Sequence, residues 1–359
     1  MGASRDALKQ KTKSDPARLS LRTGRVNLTT MVGTQGPRFG GSDMNKARFL
    51  LSVMGGIAVV VLAAGCLAAQ TGPQTNGAPT HMVVTEEVRQ GSNLPVIDQD
   101  DVVVLEGHEH DTVTAWVPAQ GDNAAMEFFI LLDDDSTPVT LGTQLGDIRR
   151  FILTQPSSTK VGVAYMRNGI AWIRQEPTSD HALAAKALRL PMGMASANGS
   201  PYFSLSDLVK RWPKSDSRRE VLMISDGYDR YYGQNDLLDP YLAKAIDDAQ
   251  RAGIVVSTIY NPGVGTFHRS SYSTYFGQAY LAQVADRTGG QAYYIGFSTP
   301  AVAFAPFLND LSNRLNHQYL LSFLAEPEKK AGLEPVKLVS EVPNTELVAA
   351  DSVYVRTER

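Results

Sequence analysis

From Phe128 onward, short runs of β-branched and apolar residues alternate with stretches of helical period, and no other feature of the sequence constrains the fold as strongly. FFILL is followed by a helix over 145–153, the strands VGVAYM and AWIRQ, and a helix over 181–188. A Pro, Gly and Ser-rich loop then reaches Tyr202, and a helix over 204–212 leads to the strand VLMIS. The next helix, over 240–252, opens on Asp239-Pro240, closes at Gly253 and runs into IVVSTIY. Later come a helix over 278–287, the strand QAYYIG, a helix over 302–315, and the runs QYLLSFL, VKLVSEV and SVYVR. Strands joined by helices of this length need right-handed crossovers. The expectation is therefore an α/β fold with a doubly wound, mostly parallel sheet and C-terminal antiparallel strands added to it.

Ahead of Phe128 no helical period appears, and MVVTEEV, DVVVLEG and HDTVTAWV read as strands of a small N-terminal β module. The 359 residues, 43% of them hydrophobic and 20% charged, are enough for a sizeable core. The expected organisation is a basic extension over 1–43, a leader or membrane anchor over 44–69 and a Gly, Pro and Thr-rich linker over 70–81. The β module over 82–124, the α/β domain over 125–316 and the terminal strands over 317–359 follow.

Charge is unevenly placed. The first 48 residues hold ten Lys or Arg against three Asp, a balance of +7, so within a total of −3 the rest of the chain carries −10. An acidic body argues against nucleic acid as a partner. From Met44 two cations precede an apolar run that ends in small residues, which is the layout of an export leader. Cleavage near Gln70 would remove Cys66, the chain's one cysteine, and in either case no disulfide braces the body. Uncleaved, the run from Phe49 to Ala69 is long enough to span a bilayer. The expectation is an exported protein, periplasmic, envelope-attached or extracellular, that meets the membrane only through its leader or a lipid anchor.

Ligands of a doubly wound sheet bind outside the carboxyl ends of its strands, and two of those ends are acidic. FFILL runs into Asp133, Asp134, Asp135, Ser136 and Thr137, and VLMIS ends in Ser225, with Asp226 and Gly227 next. Carboxylates and hydroxyls are hard oxygen ligands suited to Mg²⁺ or Ca²⁺. The same residues fit a second chemistry. Asp133 and Asp135 are spaced like the nucleophile and the acid-base of a Mg²⁺-dependent haloacid dehalogenase-like phosphatase. That enzyme needs a further strand ending in paired acids, whereas IVVSTIY runs into Asn261, Pro262 and Gly263. A third reading is a structural envelope module with no ligand site.

The order of these motifs resembles that of the von Willebrand factor A-type domain, and of a secreted bacterial group within that family. The likeness rests on DVVVLEGHEHDTVTAW, on the loop aspartate in VLMISDG, on QAYLAQVADRTGGQAYY and on QYLLSFL with VKLVSEVPNTELVAADSVYV. It implies a Rossmann-like sheet and a binding or adhesion role toward a protein partner, with no catalysis. It also implies a metal-ion-dependent adhesion site at Asp133, Asp135, Thr137, Ser200 and Asp226, with Asp134 and Ser136 as ligands in an alternative register. The family's paired serines are replaced here by Asp135 and Thr137, so the site is degenerate. LAAGC in turn resembles the bacterial lipoprotein signal and implies lipidation of Cys66. The Tyr and Ser-rich RSSYSTYFGQAY reads as an exposed contact loop.

Overall fold

The computed structural model describes residues 77–357, apart from 92, 135–140, 143, 194–198, 234–238, 263–270, 295–302 and 327–328, and without the side chains of 271–273. The described residues belong to one compact unit, Gln70–Arg359. The leader, Cys66, Asp135, Ser136 and Thr137 lie outside them.

Six strands build the α/β sheet: β4 Met126–Asp133, β5 Thr159–Arg167, β6 Ile170–Thr178, β7 Arg218–Ser225, β8 Ile254–Tyr260 and β9 Ala292–Tyr294. Their spatial order is β6-β5-β4-β7-β8-β9, parallel throughout except for β6, which returns antiparallel along β5. FFILL and VLMIS are therefore neighbours at the centre. Both are buried along their whole length, which is why they read as continuous apolar runs instead of alternating ones.

Helices cover both faces. On one side Phe128, Ile130 and Leu132 pack against α1 Leu145–Leu153, α2 His181–Lys186 and α6 Ala305–Asn316. On the other, Phe129, Leu131 and Met223 pack against α3 Pro201–Arg211, α4 Pro240–Ala252 and α5 Ser271–Thr288. Helix α4 shows why its boundaries were legible. Asp239 caps it by accepting from the Tyr241 N–H at 2.8 Å, Pro240 takes the first turn, and Gly253 closes it with φ +62°. Helix α5 starts earlier than its sequence pattern implies. The RSSYSTYFGQAY segment, expected as a contact loop, enters this helix at Ser271, burying Phe276 and Tyr280 and leaving Tyr275 exposed.

The remaining strands, β1 Ala78–Val88, β2 Val102–Glu106, β3 Glu109–Pro118, β10 Gln318–Ala325, β11 Gly332–Ser340, β12 Thr345–Ala349 and β13 Ser352–Val355, form one sheet. Its order is β12-β1-β10-β3-β2-β11-β13, so the two expected β segments interleave. QYLLSFL and VKLVSEV, though consecutive in the chain, are not paired, because β3 and β2 stand between β10 and β11. β12 and β13 run in the same direction, separated by Ala350 and Asp351. The first pairs with β1 and the second with β11, so one bent strand closes the sheet on itself. The α/β part leaves after β3 and returns at β10, and the Ala119 N–H donates to the Gln318 carbonyl at 2.8 Å across the junction.

Candidate functional site

The chain crosses from β4 to β5 on one side and reaches β7 on the other, which makes the β4/β7 boundary the switch point where a doubly wound sheet opens a crevice. Asp133 ends β4 and is buried, with its Oδ2 accepting from the Ser225 hydroxyl at 2.7 Å. The Ser225 Oγ also accepts from the Gly227 N–H at 3.1 Å, so the two strand ends are tied together. Asp226 follows on a turn in which its Oδ1 accepts from the Tyr228 N–H at 2.9 Å. That turn is held by contact between backbones. Gly227 has φ +67°, and a Cβ added at Gly277 of α5 would lie 2.1 Å from the Asp226 carbonyl oxygen.

Ser200 caps α3, and its hydroxyl donates to Asp229 Oδ2 at 2.7 Å. Asp229 is fully buried, and its other oxygen accepts from the Tyr231 and Tyr232 N–H groups at 2.8 and 2.9 Å. Arg230 donates its N–H to the Gly199 carbonyl and places its guanidinium 3.6 Å from Asp226. Asp133, Ser200 and Arg230 line one small cleft together with Met166 and Arg167, with free space of about 10 Å³. Asp133 and Ser200 share this cleft, while Asp226 is not in its lining and stands on the adjacent turn, facing Arg230.

Asp134 has a different setting. Both its oxygens bind the Arg189 guanidinium, at 2.6 and 2.8 Å, and one also accepts from the Met192 N–H at 3.0 Å. Arg189 stacks 4.0 Å over the Tyr165 ring, and hydrogen bonding to Asp134 raises its pKa above the ordinary value. This pair anchors the 189–193 loop, so Asp134 is a brace and its place in the alternative ligand register is filled by an arginine.

The described donors taken alone do not fit a divalent cation. One oxygen of Asp133 is engaged by Ser225 and a guanidinium faces Asp226, while the Ser200 hydroxyl, whose proton goes to Asp229, keeps an oxygen that could coordinate. Among the described residues, no three His, Cys, Asp or Glu side chains come close enough to share a metal ion. The sequence reading missed Asp229, Arg230 and Arg189. Asp229 and Arg230 had a signal, since they directly continue the SDG loop in SDGYDR.

No family model and no curated protein sequence matches the chain. Solved structures do resemble it. Several of them are von Willebrand A domains. The vWF domain of the type V pili tip protein Mfa5 from Porphyromonas gingivalis is 10% identical, with coverage of 53% of this chain and 95% of that one and a TM-score of 0.38. The ArnB paralog VWA2 from Sulfolobus acidocaldarius is 11% identical over 78% and 76% of the two chains, with a TM-score of 0.36. An aerotolerance-related membrane protein from Bacteroides fragilis is 17% identical over 54% and 99%, with a TM-score of 0.39. These identities and scores are low, and the strand order given above comes from this chain's own hydrogen bonds.

Arg230 and Arg167, which line the cleft, each lead to aromatic side chains beside it. Beyond Arg230, Tyr231 and Tyr232 are exposed and pack edge-on to Tyr241, which also meets Phe203 at 4.6 Å. On the other side, the exposed Trp172 lies between Arg167 and Arg174, whose guanidinium carbons are 5.2 and 5.4 Å from its ring.

Proposed function

We propose that this chain is an exported contact protein of the von Willebrand A type, which holds a protein partner at the carboxyl edge of its six-stranded sheet. The observation that carries this reading is the pair of aromatic clusters beside the switch-point cleft, where Tyr231, Tyr232 and Trp172 stand exposed next to Arg230 and Arg167, which line it. Tyr, Trp and Arg are the residue types that dominate protein contacts, because each offers rigid area together with a polar handle. Among the described residues no helix is long and apolar enough to cross a membrane. Attachment through the leader or through acylation of Cys66 is part of this proposal, and intact mass of the exported protein distinguishes the two.

The cation at this site is, in our reading, Arg230 in place of Mg²⁺ or Ca²⁺. A guanidinium facing Asp226 supplies the positive charge that a metal would bring, so metal affinity is weak in the native chain. Calorimetric titration with Mg²⁺ tests this. Arg230→Met should raise the affinity at least tenfold, and tight Mg²⁺ binding by the unaltered protein would overturn the assignment.

Partner contact is tested with a photo-crosslinker placed at Tyr231 in cells. A discrete adduct that disappears with Trp172→Ala supports the contact reading. Hydrolysis of a phosphate ester, abolished by Asp133→Asn, would replace it with the phosphatase.

A further inference from the structure

Among the described residues, the bent closing strand leaves a row of backbone groups with no strand paired to them. The Glu86 N–H donates to the His317 carbonyl, on the side of β10, and the β1/β10 register holds without a shift from Ala78 to Thr85. Successive residues of a strand alternate their N–H and C=O between its two neighbours. The even-numbered residues of β1 therefore bond β10, and Pro79, His81 and Val83 turn theirs to the other side. The ladder to β12 begins only at Val84, and beyond Ala350 the chain departs to pair with β11. Pro79 has no N–H, and its place on this row is the one that an edge strand tolerates.

A groove of about 500 Å³ lies along this edge, between β1, β13 and the turn that joins α4 to β8. Its charged side chains are Arg251 and Arg356, and among the described residues none of its lining is Asp or Glu, although the body as a whole is acidic. Gln250 also lines it and is 4% exposed. Its amide nitrogen is committed to the Arg287 carbonyl at 2.6 Å and to Asp351, which fixes the orientation of the amide. Among the described residues, the buried amide oxygen has no donor in reach. A buried acceptor of this kind calls for an N–H.

We infer that this groove is a docking site for an extended acidic peptide of a partner protein, which adds to the free edge of β1 in the row that β12 begins and leaves at Ala350. Strand addition satisfies the His81 N–H and C=O and the Pro79 C=O, and gives direction through backbone bonds. Carboxylates on the peptide meet Arg251 and Arg356. Charge decides among occupants. The chain's own first 48 residues carry +7, the wrong sign for this lining. A second copy joined edge to edge would bring the two sets of arginines together.

The site is independent of the switch-point cleft, and its test does not touch that cleft. The probe is a fluorescein-labelled hexapeptide alternating valine with glutamate, titrated against the full chain, with a valine–lysine hexapeptide as control. The expected result is saturable binding of the acidic peptide alone, slowed amide exchange at His81 and Val83, and at least tenfold weaker binding for Arg251→Glu. His81→Pro removes one edge donor while keeping the edge-compatible chemistry of Pro79, and it should also abolish binding, with circular dichroism confirming the fold. No binding of the acidic peptide, equal binding of both peptides, or indifference to both substitutions would overturn the proposal. Self-association of the unaltered chain that His81→Pro abolishes would replace the peptide with a second copy.

Discussion

Arg189 and Arg230 bring two guanidinium groups to carboxylates at the switch point, but in different ways. Arg189 grips Asp134 through both oxygens, and Asp134 is only 2% exposed. Arg189→Ala would leave that buried carboxylate without its counter-charge and with only the Met192 N–H, so we expect a stability loss of about 3 kcal/mol in urea denaturation. Arg189→Lys keeps the charge but not the fork and should lose less. At this scale the sequence was partly legible. Asp133 and Asp226 stand out because they directly follow apolar strands, and Ser200 because it precedes Pro201 at a helix start. Arg189 gives no local sign, since its partner is 55 positions away and only the folded sheet brings them together.

The elements of the α/β part follow from period and caps, and where the pattern was ambiguous the reason is physical. Helix α5 spreads polar and apolar residues around its circumference, so its first turns show no clean stripe, and Tyr and Ser there resemble a loop. Its position is nevertheless tightly set, because it meets the Asp226 loop at Gly277 with no room for a side chain. Gly277→Ala should push α5 away from that loop and cost about 2 kcal/mol, as overpacking of a closed core does. A shift of the Tyr228 amide resonance, whose N–H bonds Asp226, would place the damage there. The pairing of the outer strands was not legible at all, because alternation in VKLVSEV says which face is buried and nothing about which strand lies beside it.

The two parts of the molecule are fastened by a buried polar cluster beneath the sheets. Arg218 of β7 donates to the Leu315 carbonyl at 3.2 Å and to the Gln318 side chain, which in turn donates to Thr85. Beside it, Glu220 is 1% exposed with one oxygen lacking a donor, and burial raises its pKa to about 7, against the partial offset of Arg218. A carboxyl raised in the folded state binds its proton more tightly than in the unfolded chain. Its contribution to stability is therefore complete below about pH 4.5 and is lost as pH rises to about 7. Asp111, raised to about 7 by burial and by Glu106 and Glu326, acts in the same direction. The melting temperature should be higher at pH 5 than at pH 7.5, and Glu220→Gln should remove much of that difference.

The seven-stranded sheet also sets a timetable. Its first strand is flanked by β10 and β12, which are made last, and some 200 residues of another fold separate β3 from β10. At a synthesis rate of about 5–20 residues per second, β1 waits at least about 10 seconds for a neighbour. During that interval β1 has neither of its partner strands, and the sheet closes only when residues 345–355 have been made.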